Sequence, residues 1–254
     1  MEQDTTERLI NLNKQFYGDF AEPFSSTRQR LQPGVKRIIA QLPLNTSILD
    51  LGCGNGELYI QLVKMGFRGS YVGIDFSPQL VSIASNRWKE YLQNRQENGI
   101  SDTQNQIPEF LESDITREGW FLDLPIQKFN TVFSFAVLHH IPSTQLRLKV
   151  LKDIYQVLYP GDNLYHSEWQ FLKSARLRSR IKSWETVGLN QEMVDVDDYL
   201  LDWRHEGYGL RYLHHFSLAE LESLASASNY IIEETFLSDG KGRNLGLYQA
   251  WRRV

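Results

Sequence analysis

The chain has 254 residues, 41% hydrophobic, 12% aromatic and 23% charged, with 17 glycines and 8 prolines, which excludes a disordered, collagen-like or coiled-coil protein. That is enough apolar material for one large domain, bare or with an elaborated cap. A formal charge of −4 excludes a protein that coats nucleic acid over its whole surface, and a single cysteine, Cys53, excludes an intrachain disulfide or a cysteine-based zinc cluster.

No apolar run is long enough to cross a bilayer, and residues 1–12 are polar with no signal core, so the expectation is a cytoplasmic protein with no membrane partner and no metal. From Ile48 onward, short β-rich runs alternate with longer amphipathic stretches, the rhythm of a parallel sheet covered by helices. Strands are predicted at 48–51, 71–75, 109–113, 131–136 and 163–167. Helices are predicted at 57–65, at 78–92 after the capping Ser77, and at 144–158, stopped by Pro160-Gly161.

Two stretches break the rhythm. Residues 93–106, rich in Asn and Gln, read as an exposed loop. Residues 171–215 are too long for an ordinary connection and read as an inserted helical cap over a substrate. A helix at 218–225 follows, then strands at 230–236 and 245–251 joined by the turn-rich 238–242, compatible with an antiparallel hairpin.

The chemistry starts at Asp50-Leu51-Gly52-Cys53-Gly54-Asn55-Gly56-Glu57, between a strand and a helix. Three glycines there let the backbone turn tightly and approach a ligand. The third glycine comes one residue too early for a dinucleotide fingerprint, and Glu57 places a carboxylate where a pyrophosphate needs the positive helix end. No Lys-Ser or Lys-Thr follows, so the loop is no P-loop. A ligand with a ribose, an adenine and a cationic amino-acid tail fits better, and S-adenosylmethionine is such a ligand. Asp50 faces its ammonium and Gly52, Cys53, Gly54 and Asn55 admit the tail. Asp75 takes the ribose hydroxyls, Phe76 lies on the adenine face, and Asp114-Ile115 meets the adenine edge.

With 73–77 (Gly-Ile-Asp-Phe-Ser), 113–115 (Ser-Asp-Ile), 129–142 and 158–161 (Leu-Tyr-Pro-Gly), the chain resembles the class I S-adenosylmethionine-dependent methyltransferases. The resemblance implies a doubly wound, mostly parallel α/β sheet of seven strands with an antiparallel last strand, and it places Phe135 and Ala136 beside the cofactor. The pattern departs at Asp162, where a second glycine is usual. Residues 135–142 read Phe-Ala-Val-Leu-His-His-Ile-Pro rather than Asn-Pro-Pro-Tyr, which disfavours methylation of an exocyclic base amine. His139 and His140 fall near the transferred methyl, without either being read as a base.

Tyr17, the run 24–28 (Phe-Ser-Ser-Thr-Arg), Arg211-Tyr212, His214 and Asn244 add a narrower resemblance, to the tRNA methyltransferases that esterify the carboxymethyl group of a modified wobble uridine. It departs at Leu213 and around Asn244, where further aromatics are usual. It implies one methyltransferase domain over 1–254, with an N-terminal helical cover at 1–46 and the substrate cap at 171–215. The cover brings Tyr17 and Arg28 to the methionine end of the cofactor or the acceptor carboxylate. Trp169, Arg211, Tyr212, His214 and Asn244 join His139 and His140 on the acceptor side. A carboxylate is already ionised at neutral pH, so no catalytic base is expected, only orientation and neutralisation by Arg28 and Arg211. S-adenosylhomocysteine is the implied product. Lys173, Arg176 and Arg180, placed on one helical face of the basic segment 173–182, are the expected tRNA contact; Trp184 and Trp203 read as cap core or as stacking surfaces. Two readings stay beside this one: a small-metabolite O-methyltransferase, and a cofactor-binding subunit without activity of its own. A small activating subunit is a further possible partner.

Overall fold

The computed structural model describes residues 1–98 and 107–254. Three helices come first: α1 (Gln3–Asp19), α2 (Ala21–Ser26) and α3 (Pro33–Ile39). The alternating part runs β1 (Ile48–Leu51), α4 (Glu57–Lys64), β2 (Tyr71–Asp75), α5 (Pro78–Glu97), β3 (Glu109–Glu112), β4 (Phe129–Phe135), α6 (Thr144–Val157) and β5 (Leu158–Trp169). Next come α7 (Ala175–Arg178), β6 (Ile181–Lys182), β7 (Asp198–Trp203) and β8 (Gly209–His214). The chain closes with α8 (Leu218–Ala227), β9 (Tyr230–Ser238) and β10 (Gly246–Arg253).

The main sheet has the strand order β3-β2-β1-β4-β5-β10-β9. β1 pairs in parallel with both β2 and β4, while β10 runs antiparallel to both β5 and β9, so the predicted class and the antiparallel last strand are borne out. Alternation along the strands divides the core. Ile48, Tyr71 and Phe133 turn to α3, α4 and α5, whereas Leu49, Leu51, Val72, Ile74 and Val132 turn to α6 and α8. Each such fully buried side chain contributes about 1.5–3 kcal/mol, which fixes the register of every strand beneath the site. The order reverses between β1 and β4, and their carboxyl ends open the crevice in which ligands of such sheets bind.

Four expectations are corrected. α5 continues to Glu97, because Gln, Arg and Glu are good helix formers and nothing breaks the run; only residues 93–97 of the expected loop are helical, and residues 99–106 lie outside the described residues. α6 ends at Val157 and the chain turns extended at Leu158, so Pro160-Gly161 lies inside β5 and does not stop the helix. The stretch 171–215 is not a helical cap: its centre is the antiparallel sheet β6-β7-β8, with α7 and short 3-10 turns around it. The hairpin turns at Glu206 and Gly207, both at positive φ, and buries Leu200, Leu201, Tyr212 and Leu213. Lys173 and Arg180 fall outside the four-residue α7, so the single basic helical face does not form; Ser174 is extended and interrupts it.

The N-terminal helices pack on this small sheet. Asn13, on the apolar stripe of α1 with Leu9 and Phe16, donates through Nδ2 to the Tyr212 carbonyl (3.2 Å) and accepts the Tyr212 N–H at Oδ1 (2.8 Å). A buried amide satisfied on both sides holds α1 in one register against β8 and carries Tyr17 into the crevice.

Candidate active site

The carboxyl ends of β1, β2 and β4 and the loop after β3 surround a cavity of about 520 Å³, roofed by α1, the 24–32 segment and the cap. Gly52, Gly54 and Gly56 all have positive φ, and a Cβ at Gly52 would stand 2.6 Å from Val137. Only glycine permits that turn beneath β4. Asn55 is spent on the protein: its Nδ2 donates to the carbonyls of Ser25 and Arg28 (both 3.2 Å), tying the roof to the loop. Arg87 pairs with Glu57 and donates to the Asn55 carbonyl (3.1 Å), which pins the helix start.

One end of the cavity is acidic. Asp50 is buried, and burial pushes its carboxyl up to about 7 even though Tyr71 donates to it at 2.5 Å. Asp75 accepts from Gly54 N (3.1 Å) and Ser77 N (3.0 Å), yet burial pushes it up to about 6. Neither has a cationic partner among the described residues. Asp114 differs: burial pushes its carboxyl up, but Lys14 at 2.6 Å and the Thr116 N–H and hydroxyl outweigh that and hold it low. Cys53 stays a thiol, since burial pushes its pKa up. Phe76 and Ile115 complete this end.

The other end is cationic and aromatic. Arg211 lies over the rings of Trp169 (5.1 Å), Phe16 (5.3 Å) and Trp203 (5.6 Å), with Nε unpartnered. Arg28 packs on Phe24 at 4.8 Å and, though exposed, lines the cavity; desolvation and the nearby Arg211 charge lower its pKa. Among the described residues neither arginine meets a carboxylate. Tyr17 Oη lies 2.8 Å from His140 Nε2. Because His140 Nδ1 faces the Tyr212 carbonyl at 3.3 Å, it carries the proton and Nε2 accepts from Tyr17. Burial and Arg211 lower the pKa of His140 to about 3, so it is neutral.

Of the sequence-predicted residues, Tyr17, Arg28, Asp50, Gly52, Cys53, Gly54, Asn55, Asp75, Phe76, Asp114, Ile115, Phe135, Ala136, His139, His140, Trp169 and Arg211 line this one cavity. Ala136 is held at φ 59 by two bonds from its N–H to Ser167, the kind of backbone strain that collects at ligand sites. Three do not line it. Tyr212 is fully buried and donates its hydroxyl to Asp198 (2.7 Å). His214 bridges Asp198 (2.7 Å) and Glu220 (2.9 Å), tying the cap to α8. Asn244 sits outside the wall, in the hairpin before β10, where Leu245 and Asp239 line the cavity instead. Trp184 and Trp203 are buried cap core. Of the cations in the basic segment only Arg176 lines the cavity, and Lys182 is held by Asp202 at 3.1 Å. Sequence reasoning missed Asn13, Lys14 and Glu168; a polar residue on an otherwise apolar stripe or buried strand is the signal that marks the first and last.

The residues fit S-adenosylmethionine: buried carboxylates without a cation at one end suit its ammonium and ribose hydroxyls, and the glycine loop leaves room for its tail. Fold and cavity together define a class I S-adenosylmethionine-dependent methyltransferase. The chain belongs to the methyltransferase domain family, whose model matches residues 24–235. It is 30% identical over 155 residues to the tRNA (carboxymethyluridine(34)-5-O)-methyltransferase of Arabidopsis thaliana, covering 60% of this chain and 31% of that protein. It is 26% identical to the enzyme of the same name from Schizosaccharomyces pombe, covering 61% of this chain and 56% of that one. The chain thus spans only about a third to a half of the length of these relatives. Among solved structures, a SAM-dependent methyltransferase from Methanosarcina mazei superposes with a TM-score of 0.64 at 21% identity, covering 88% of this chain and 98% of that one. The magnesium protoporphyrin IX methyltransferase of Synechocystis, with bound S-adenosylhomocysteine, gives 0.64 at 18%, covering 96% and 99%.

Proposed function

We propose that the chain transfers a methyl group from S-adenosylmethionine to the carboxylate of a carboxymethyl group on a wobble uridine of tRNA. The observation that carries this reading is the pair Arg28 and Arg211, facing one cavity with no carboxylate among the described residues to neutralise them. A buried guanidinium and a second one at the cavity wall that repel each other are stabilised by an anion, and a carboxylate accepts from both. The names of the two curated relatives point to the same acceptor.

Bound S-adenosylmethionine supplies an electrophilic sulfonium methyl. In this reading Asp75 holds the ribose, Asp50 the ammonium, and Phe76, Asp114 and Ile115 the adenine. Arg28 and Arg211 grip the acceptor carboxylate and orient one oxygen. Tyr17, its proton committed to His140, accepts from Arg211 and fixes that guanidinium. No group needs to remove a proton, and the aromatic roof excludes water. Arg176 at the rim, with the exposed Lys173 and Arg178 beside it, meets the RNA phosphates.

The test is an anticodon stem-loop RNA carrying 5-carboxymethyluridine, incubated with the protein and cofactor, with the nucleosides read by mass spectrometry. A methyl ester supports the reading, and Arg28→Gln or Arg211→Gln should raise the KM for that RNA by about 10–100-fold. A second reading, a small-metabolite O-methyltransferase, is favoured by the net charge of −4 and by the largely aromatic acceptor end. Turnover of free carboxylic acids with no ester on RNA would establish it instead.

A further inference from the structure

The contacts of the adjacent histidines in this cavity fit opposite tautomers. His139 Nδ1 accepts the Trp169 N–H at 3.4 Å, so that nitrogen holds no proton. The same Nδ1 lies 3.0 Å from Glu168 Oε2, and two acceptors do not approach so closely without a proton between them. The proton therefore belongs to Glu168, whose other oxygen accepts from His166 Nδ1–H at 3.0 Å. Glu168 and His166 are fully buried. With Nδ1 occupied, the proton of His139 resides on Nε2, which has no partner among the described residues yet is not sealed from the cavity. That N–H opens on the cavity beside the arginine end.

Resting on the carboxylate reading above, we infer that His139 donates through Nε2–H to a neutral carbonyl oxygen of the methyl acceptor, and that Glu168 is the positioning residue that sets this donor. An imidazole N–H held this way only donates, so it accepts a ring carbonyl beside the carboxymethyl group and rejects an amino group in its place. It selects a uracil over a cytosine ring. Burial holds Glu168 well above the carboxylate range against the opposing Arg147 charge, and holds His139 and His166 neutral. The groups facing the pair are Arg147 and Glu220 toward Glu168, and His140, Arg211 and His214 toward His139.

Three measurements test it. Imidazole ¹⁵N–¹H correlation spectra of the full chain should show His139 protonated on Nε2 from pH 6 to 8; a proton on Nδ1 overturns the proposal without bearing on the acceptor. Glu168→Gln donates to Nδ1 and accepts from His166 as the protonated acid does. It should restore both the tautomer and turnover that Glu168→Leu loses; loss of both in Glu168→Gln means that Glu168 acts as a carboxylate, and overturns it. Third, stem-loops carrying 5-carboxymethyluridine and 5-carboxymethylcytidine are compared. The native chain should favour the uridine by at least about tenfold in kcat/KM, and His139→Leu should abolish the preference with cofactor affinity within about threefold. A preference unchanged in His139→Leu overturns the proposal, whereas turnover of neither RNA by the native chain overturns the acceptor reading and leaves the tautomer result standing.

Discussion

Lys14 Nζ stands 2.6 Å from Asp114 Oδ2, joining the first helix to the turn after β3 across the cavity wall. One helix thus touches both ends of the site, since Tyr17 on α1 reaches His140 at the acceptor end. The lysine is 42% exposed, so the pair itself stabilises little, under about 1 kcal/mol. Asp114 matters more, because Oδ1 also accepts from the Thr116 N–H (2.9 Å) and hydroxyl (2.6 Å). Lys14→Met should leave urea stability within about 1 kcal/mol and cofactor affinity within about threefold. Asp114→Ala should weaken cofactor binding by roughly 1–2 kcal/mol in calorimetry. Equal losses in the two variants would show that the ion pair, not the carboxylate, shapes the adenine end.

Asp75 organises the ribose end twice over. It caps the glycine loop through Gly54 N and the start of α5 through Ser77 N, and each oxygen keeps a lone pair for the cavity. Asp75→Ala should weaken S-adenosylmethionine binding by roughly 1–3 kcal/mol, with Asp75→Asn between it and the native chain. Unchanged affinity by calorimetry would remove Asp75 from the cofactor contacts.

The acidic end predicts a pH dependence whose sign follows from burial. Burial raises Asp50 to about 7 and Asp75 to about 6. A ligand that presents an ammonium and two hydroxyls needs both as carboxylates, so binding expels whatever protons they hold. Affinity should rise with pH through the 6–7 window set by these two groups and level off above it. Calorimetry in two buffers of different ionisation enthalpy should register proton release at pH 6. Without a ligand the same groups act oppositely on folding: native pKa values above the unfolded ones bind extra protons, so their contribution falls as pH rises from about 4 to 7. A flat binding profile would mean that Asp50 faces no cation.

Much of this site was legible because its chemistry is local. Gly52 and Gly56 mark a left-handed turn that no other residue makes easily, Asp75 ends a strand whose apolar run is plain, and Asp114 follows two residues after β3. The cap was not legible. β7 buries Leu200 and Leu201 in succession, so the period of two is lost, and its acids look like solvent-facing charges. They are buried because partners mostly on other elements satisfy them: Tyr212 and His214 at Asp198, and Lys182, together with the neighbouring Arg204, at Asp202. Glu168 was hidden in part for the same reason: His166, at one oxygen, is two residues away, but His139, at the other, lies 29 residues back. Local pattern reveals a backbone that must turn, but not a charge whose partner is far along the chain.

His214 yields the prediction furthest from catalysis. Its resemblance-based role was to face the acceptor, yet both ring nitrogens are taken by carboxylates, Nδ1 by Asp198 and Nε2 by Glu220, with 3% of the side chain exposed. Burial alone would lower its pKa; the bonds to Asp198 and Glu220 outweigh burial and raise it, so His214 clamps the cap to α8 most strongly when protonated. A histidine whose folded pKa exceeds the unfolded one stabilises fully below about pH 6.5, and the contribution fades as pH rises through the folded value. His214→Gln should therefore cost stability in urea unfolding at pH 6, by roughly 1–3 kcal/mol, with a shrinking difference from the native chain toward pH 9. Its KM for the methyl acceptor should stay within about threefold at pH 7. A large rise in KM with unchanged stability would return His214 to the acceptor side.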